Sequence, residues 1–237
     1  KDISKWCAVA IGPNSSDGSY NSPFYYGAAL YDADGNIVTD LVIPESVAQI
    51  SKYAFYGCSS LKSVSVSASD ICNRAFAYCS SLTSVTIGNG EMSILGDAFY
   101  GCYKLVEVYN LSTLNITKGS SSNGYVAYYA INVYTTEDAQ SNLQTTDDGY
   151  IFYEDGETIY LIGYTGAQTE LTLPETFNGK NYQIYNYAFY KCSSLTSITI
   201  PDSVTSIKSN AFYGCSVLTN ITIPDSVKSI GSYAFYN

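Results

Sequence analysis

The residues able to do chemistry in this chain are seven cysteines, 21 carboxylates and 25 tyrosines, with no histidine among 237 residues. Without imidazole, neither a Ser-His-Asp nor a Cys-His relay can be assembled, and imidazole-based zinc sites are excluded. No glycine-rich phosphate loop with its lysine is present. The carboxylates are scattered, mostly in turns. "YDADGN" (31–36) and "TTDDG" (145–149) set acidic residues beside glycine, but a calcium loop needs more oxygen ligands at fixed spacing, ending in a bidentate glutamate. Turn chemistry, in which Asp-Gly suits positive φ, accounts for both. The chain is expected to be no enzyme, with no catalytic residue, no metal site and no cofactor.

The cysteines are ordered rather than paired. Cys58, Cys79, Cys102, Cys192 and Cys215 each lie three residues after a phenylalanine, in "AFYGCSSL", "AFAYCSSL", "AFYGCYKL", "AFYKCSSL" and "AFYGCSVL". An odd count and one shared position favour a ladder of small buried thiols over disulfides. Cys7 and Cys72 lie outside this ladder.

The octapeptide sets a period. Its phenylalanines are Phe55, Phe76, Phe99, Phe189, Phe212 and Phe235, and the intervals within each run are 21 or 23 residues. Repetition at this spacing is the signature of a solenoid. An isoleucine stands five before each phenylalanine (Ile50, Ile71, Ile94, Ile184, Ile207, Ile230) and a leucine six after the first five (Leu61, Leu82, Leu105, Leu195, Leu218). Alternating pairs such as Val64/Val66 and Ile198/Ile200 then read as short strands, apolar inward and Ser/Thr outward. One repeat is therefore strand, bend, short strand and a helical turn over "AFYGC". Stacked copies place Phe on Phe, Leu on Leu and Cys on Cys, a core that one coil could not bury alone.

The unit "IPDSVTSIKSNAFYGCSVLTNITIPDSV" resembles the BspA-like leucine-rich repeats of bacterial surface proteins. The expected fold is a leucine-rich-repeat solenoid, mainly β with short helical turns, one or two short strands per repeat of about 23 residues, interrupted by β-hairpin insertions. The expected order is an irregular N-terminal segment with a hairpin (1–42), three repeats (43–109), a β-hairpin insertion (110–170), then two repeats and a truncated third (171–237). The hairpin signal is "GYIFYEDGETIYLIGY", with Asp155-Gly156 between apolar and aromatic runs. Both ends of the chain look like the interior of a longer array, and its start shows no signal peptide.

The resemblance implies an extracellular or cell-surface protein of a bacterium that binds a host or matrix protein. The net charge of -10 opposes nucleic acid and anionic membrane surfaces. No apolar run is long enough for membrane insertion. Tyrosine combines large contact area with few rotatable bonds and is favoured at recognition surfaces. Those least dictated by the repeat are Tyr128, Tyr129, Tyr134, Tyr153, Tyr160 and Tyr164, which are the candidate partner-binding residues, about half of them expected to face water. Two alternatives stand beside this reading: a structural spacer array that projects another domain, and a glycan-binding surface, since exposed rings also stack on sugars. Asn14, Asn110, Asn115 and Asn220 open glycosylation-type triplets, which would be silent in a bacterium.

Overall fold

The computed structural model describes residues 3–8, 22–67 and 70–236; Asn14 lies outside them. The chain divides into two compact units, Lys1–Gln140 and Ser141–Asn237. The first contains α1 (Ile3–Cys7) and strands β1 (Asp40–Ile43), β2 (Gln49–Ile50), β3 (Ser63–Val66), β4 (Asp70–Ile71), β5 (Ser84–Ile87), β6 (Glu107–Asn110) and β7 (Asn132–Tyr134). The second contains β8 (Leu143–Thr145), β9 (Tyr150–Asp155), β10 (Thr158–Tyr164), β11 (Glu170–Thr172), β12 (Tyr182–Ile184), β13 (Ser197–Thr199), β14 (Val204–Ile207), β15 (Asn220–Thr222) and β16 (Ser229–Ile230).

The repeats stack into two parallel ladders, the second of which is shorter in the first unit, where the repeat holding β5 adds only an Ile94 bridge to Ile71. In the first unit β1-β3-β5-β6-β7 form one sheet and β2-β4 the other. In the second, β11-β13-β15 form one, and β16-β14-β12 continue into the antiparallel β10-β9-β8. Register is in phase with the repeat: Val64 pairs Val85 and Val85 pairs Val108, while Ile198 pairs Ile221. The Asp155-Gly156 hairpin forms as expected, with Gly156 at φ +62°. The segment after Asn110 holds more than a hairpin. β7 adds a further parallel strand to β6, in register through Val108 and Val133. Val126, Ala127 and Ala130 fill that coil in place of the Phe-Cys-Leu set.

The phenylalanines form two stacked columns. Phe24, Phe55, Phe76 and Phe99 stack at 6.3, 5.0 and 5.2 Å, and Phe189, Phe212 and Phe235 at 5.1 and 5.2 Å. Rings at the coil spacing exclude water along a continuous line, and each fully buried one is worth roughly 1.5–3 kcal/mol before entropy. Phe24 heads the first column inside "PFYYGAAL", a divergent copy with Leu30 six residues on. Trp6 packs edge-on against Phe24 at 5.6 Å and donates its indole N–H to the Ala54 carbonyl at 2.9 Å. Cys7 falls in the isoleucine column, since Ser51 N bonds its carbonyl as Cys72 N bonds that of Ile50.

The "AFYGC" segment is not a helical turn but lies in three overlapping β-turns in tandem. Ala54 N bonds Ser51 O, Tyr56 N bonds Tyr53 O and Cys58 N bonds Phe55 O, all three residues back. The intervening donors leave the coil: Phe55 N bonds Ala75 O and Gly57 N bonds Ala77 O in the next repeat. That alternation requires left-handed backbone on both sides of the phenylalanine, at Tyr53 (φ +61°) and Gly57 (φ +75°), which a helix forbids. It explains the glycine two residues after Phe55, Phe99 and Phe212. Tyr78 and Lys191 hold the same place at φ +59° and +54° without glycine's freedom.

Candidate functional site

All seven cysteines are free thiols. Three of the five ladder thiols donate to a carbonyl in the preceding coil: Cys79 Sγ to Phe55 O at 3.2 Å, Cys102 Sγ to Phe76 O and Cys215 Sγ to Phe189 O, each at 3.1 Å. Burial pushes the Cys215 thiol up to about 12 and the Cys7 thiol up to about 11, and raises Cys79 well above its ordinary value. Such thiols stay protonated and are poor nucleophiles or metal ligands. Among the described residues no three His, Cys, Asp or Glu side chains gather to hold a metal. In "YDADGN" the Asp32 carboxylate accepts the backbone N–H of Asp34 and of Asn36 and the Asn36 amide, which closes a turn and holds its carboxyl below the usual range. No helix of the described residues is long and apolar enough to cross a membrane.

The tandem turns that bury phenylalanine on one side present tyrosine on the other. Residues one or two after each phenylalanine point away from the column, and coil stacking brings them to ring-contact distance. In the first unit this produces one unbroken run of nine rings. It passes from Tyr26 to Tyr25 (5.2 Å), Tyr56 (5.9 Å), Tyr78 (5.4 Å), Tyr100 (5.6 Å), Tyr125 (5.2 Å), Tyr128 (5.2 Å), Tyr129 (4.9 Å) and Tyr103 (5.2 Å). Four members are exposed: Tyr26 at 73%, Tyr25 and Tyr128 at 43%, Tyr78 at 38%. The second unit carries a shorter run, Tyr187-Tyr190-Tyr213-Tyr236-Tyr233, with Tyr233 and Tyr236 exposed.

The six tyrosines singled out from the sequence do not form one patch. Tyr128 and Tyr129 belong to the nine-ring run, on the turn edge. Tyr134 lies half-buried on the sheet face, stacked on Tyr109 at 4.9 Å. Tyr160 and Tyr164, in the second unit, are half-buried against Tyr185 and Tyr150 at 5.0 and 4.9 Å. Tyr153 is fully buried and is corrected out of any contact surface. The first four residues of β9, flanked by β8 and β10, are all buried, so alternation exposes neither face there. Tyr25, Tyr26, Tyr78 and Tyr100 belong to the run and were not singled out from the sequence; the signal was the recurrence of tyrosine one or two residues after phenylalanine.

No curated protein matches the chain. Among solved structures it is similar to the pneumococcal vaccine antigen PcpA, at 20% identity over 87% of this chain and 56% of that one, with a TM-score of 0.42. It is also similar to a leucine-rich cell surface protein of Faecalibacterium prausnitzii, at 21% identity over 84% and 70% with a TM-score of 0.34. A third is a leucine-rich repeat protein of T. pallidum, at 19% identity over 86% and 82% with a TM-score of 0.25. The chain thus spans little more than half of the pneumococcal antigen. The repeat is generally a non-enzymatic fold that binds other molecules, proteins most typically. The BspA type leucine-rich repeat region matches in six copies over residues 33–133 and 168–237, well over half of the sequence, and the chain belongs to that family.

Proposed function

We propose that this chain is a non-enzymatic binding module at the surface of a bacterium, which holds a host or matrix protein through the tyrosine run of its first unit. One observation carries the reading: nine tyrosine rings in continuous contact, four of them exposed, along an edge whose backbone is fixed by coil-to-coil hydrogen bonds. Edge-to-face neighbours lock each ring, so little side-chain freedom remains to be lost on binding. Hydroxyls at the ring tips serve a wet rim while the ring bodies supply area, the composition found at recognition hot spots. Tyr128 and Tyr129 sit within this surface; Tyr134, Tyr160 and Tyr164 are more enclosed and contribute less. The cell-surface placement rests on family membership.

The test is adhesion of the purified chain to immobilised host matrix proteins, wild type against Tyr78→Asn/Tyr128→Ser. Asparagine tolerates the left-handed backbone at position 78, so the fold, checked by circular dichroism, is preserved. Removing two exposed aromatic contacts is expected to weaken binding by roughly 2–4 kcal/mol, or 30-fold and more. Adhesion that survives this pair but is abolished by Ser63→Glu/Ser84→Lys would move the site to the strand face. Absence of adhesion to every protein in the panel would support the spacer reading.

A further inference from the structure

On the sheet face of the first unit, where the strands end, the repeat departs from its own rule. After β1, β11, β13 and β15 the strand is followed by proline: Pro44, Pro174, Pro201 and Pro224. After β3 and β5 the equivalent residues are Ser67 and Gly88. A side chain at Gly88 would meet the Ser67 Cα and the Val66 carbonyl at 3.2 Å, so two coils close up there and leave the floor bare. Above that floor lies a cavity of about 210 Å³, lined by Ser65, Thr86 and Asn89 and by the carboxylates of Glu45 and Glu137. Glu137 lies beyond β7, yet it reaches back past β6 to accept a hydrogen bond from the Asn89 amide at 3.5 Å, which makes a wall. In strand register the row continues from Ser65 and Thr86 directly to Tyr109 and Tyr134, whose rings stack at 4.9 Å and 29°.

We propose that this cavity binds a single neutral or amino-bearing pyranose unit of a saccharide. The lining is the complement of such a ring. Two carboxylates accept pairs of hydroxyl protons as charge-assisted hydrogen bonds. The Ser65 and Thr86 hydroxyls donate or accept as required, and the Asn89 amide donates. The stacked tyrosines border the row with aromatic surface on which the apolar C–H face of a pyranose can lie. The cavity is smaller than the 300–1,000 Å³ or so of drug-sized sites, so one ring fits and a longer chain would extend along the sheet. No lysine or arginine lines it, and the two carboxylates exclude uronic, sialic and phosphorylated sugars by like-charge repulsion. The corresponding row of the second unit, Thr172-Thr199-Thr222, is followed by prolines and offers no aromatic border. The site is separate from the tyrosine run and stands or falls independently of the protein-binding reading.

Saturation-transfer NMR on the whole chain tests it, with methyl glycosides of glucose, galactose, mannose, N-acetylglucosamine and glucosamine as probes and glucuronic and sialic acids as controls. At least one neutral or amino sugar is expected to bind in the millimolar range, and neither acid. Glu137→Gln, on the wall, and Thr86→Leu, on the floor, are each expected to weaken binding about tenfold, the loss of one good hydrogen bond. Thr199→Leu and Tyr128→Ser are expected to leave it unchanged. Silence from every neutral and amino sugar, binding that survives both cavity variants, or equal binding of the acids would overturn the proposal. So would Ca²⁺ alone binding with the same sensitivity to Glu137→Gln.

Discussion

Phe76→Ala separates two accounts of the shortened repeat. The interval from Phe55 to Phe76 is 21 residues where its neighbours have 23, which could mean a looser coil around Phe76. The structure puts the shortening elsewhere. From the last inward strand residue to the isoleucine column takes five residues, Val66 to Ile71, but seven from Ile43 to Ile50, Ile87 to Ile94 and Ile200 to Ile207. Two residues are missing from the bend between the strands, and the phenylalanine is untouched. Phe76 is fully buried and stacks at 5.0 and 5.2 Å on both sides, matching Phe212 at 5.1 and 5.2 Å. Phe76→Ala should therefore cost as much as Phe212→Ala, about 3–5 kcal/mol for ring and cavity together. With a urea m-value of about 2 kcal/mol/M that is a midpoint shift of roughly 2 M. Trp6, the single tryptophan, packs on the first phenylalanine column and reports the Phe76 variant by fluorescence, while circular dichroism follows both. A loss below about 1 kcal/mol for Phe76→Ala beside a full loss for Phe212→Ala would refute the reasoning, because only a coil that collapses around the deletion could absorb it.

Further outcomes follow from the turns, thiols and titrating groups. Gly101→Ala should destabilise by about 1–3 kcal/mol in urea denaturation, since φ is +78° and the new Cβ would sit 2.6 Å from Tyr78 Cδ1. In native thiol labelling at pH 8, half-exposed Cys192 should react first while Cys79, Cys102 and Cys215 stay silent, and all seven should react once denatured without reductant; labelling of native Cys79 at the Cys192 rate would contradict the ladder. Burial pushes Tyr185 up to about 12 and raises Tyr182 as well, so both favour the fold below pH 10, where the unfolded phenols are also neutral, and that contribution drains away as pH rises from 10 toward 12; in an alkaline titration of stability Tyr185→Phe should make the fall shallower. Asp40, lowered by hydrogen bonds from Ser63 and then Thr39, supports the fold above the ordinary carboxylate range and loses that support as pH falls through its lowered value, so Asp40→Asn should flatten the acid limb.

The columns were legible in the sequence because a solenoid writes its core as identity at fixed spacing. Phe, Leu and Ile at set offsets leave little choice of fold once the coils must share one interior. What escaped was local. Phe and Cys three apart fit a helical turn and a tandem β-turn equally well, and the distinguishing sign was the intervening glycine. That sign was blurred by Tyr78 and Lys191, where a non-glycine residue accepts the left-handed conformation because the next coil's carbonyls hold its backbone in place. Phe24 was missed because "PFYYGAAL" lacks the cysteine, although its leucine keeps the offset. The strand face behaved as read, with Ser63, Ser84 and Ser197 half-exposed above buried valines and isoleucines.

The tyrosine surface was hidden for a different reason. A position fixed by the repeat is readily assigned to packing, and only positions outside the repeat are then left for recognition. In a stacked solenoid the two roles share one segment. Each "AFYGC" turn must send its phenylalanine inward, and the left-handed residues that permit this turn a following side chain away from the column, Tyr56 and Tyr100 one residue on and Tyr78 two residues on. Tyrosines at these two places build a continuous stripe beside the column, because neighbouring copies lie within ring contact of each other. Tyr56, Tyr78 and Tyr100 are consequences of the same backbone that buries Phe55, Phe76 and Phe99. The run reaches Tyr125, Tyr128 and Tyr129 where the phenylalanine column has already ended in Val126 and Ala127. Tyrosine persists outside after the inside no longer requires an aromatic residue, and that persistence is what packing alone does not explain.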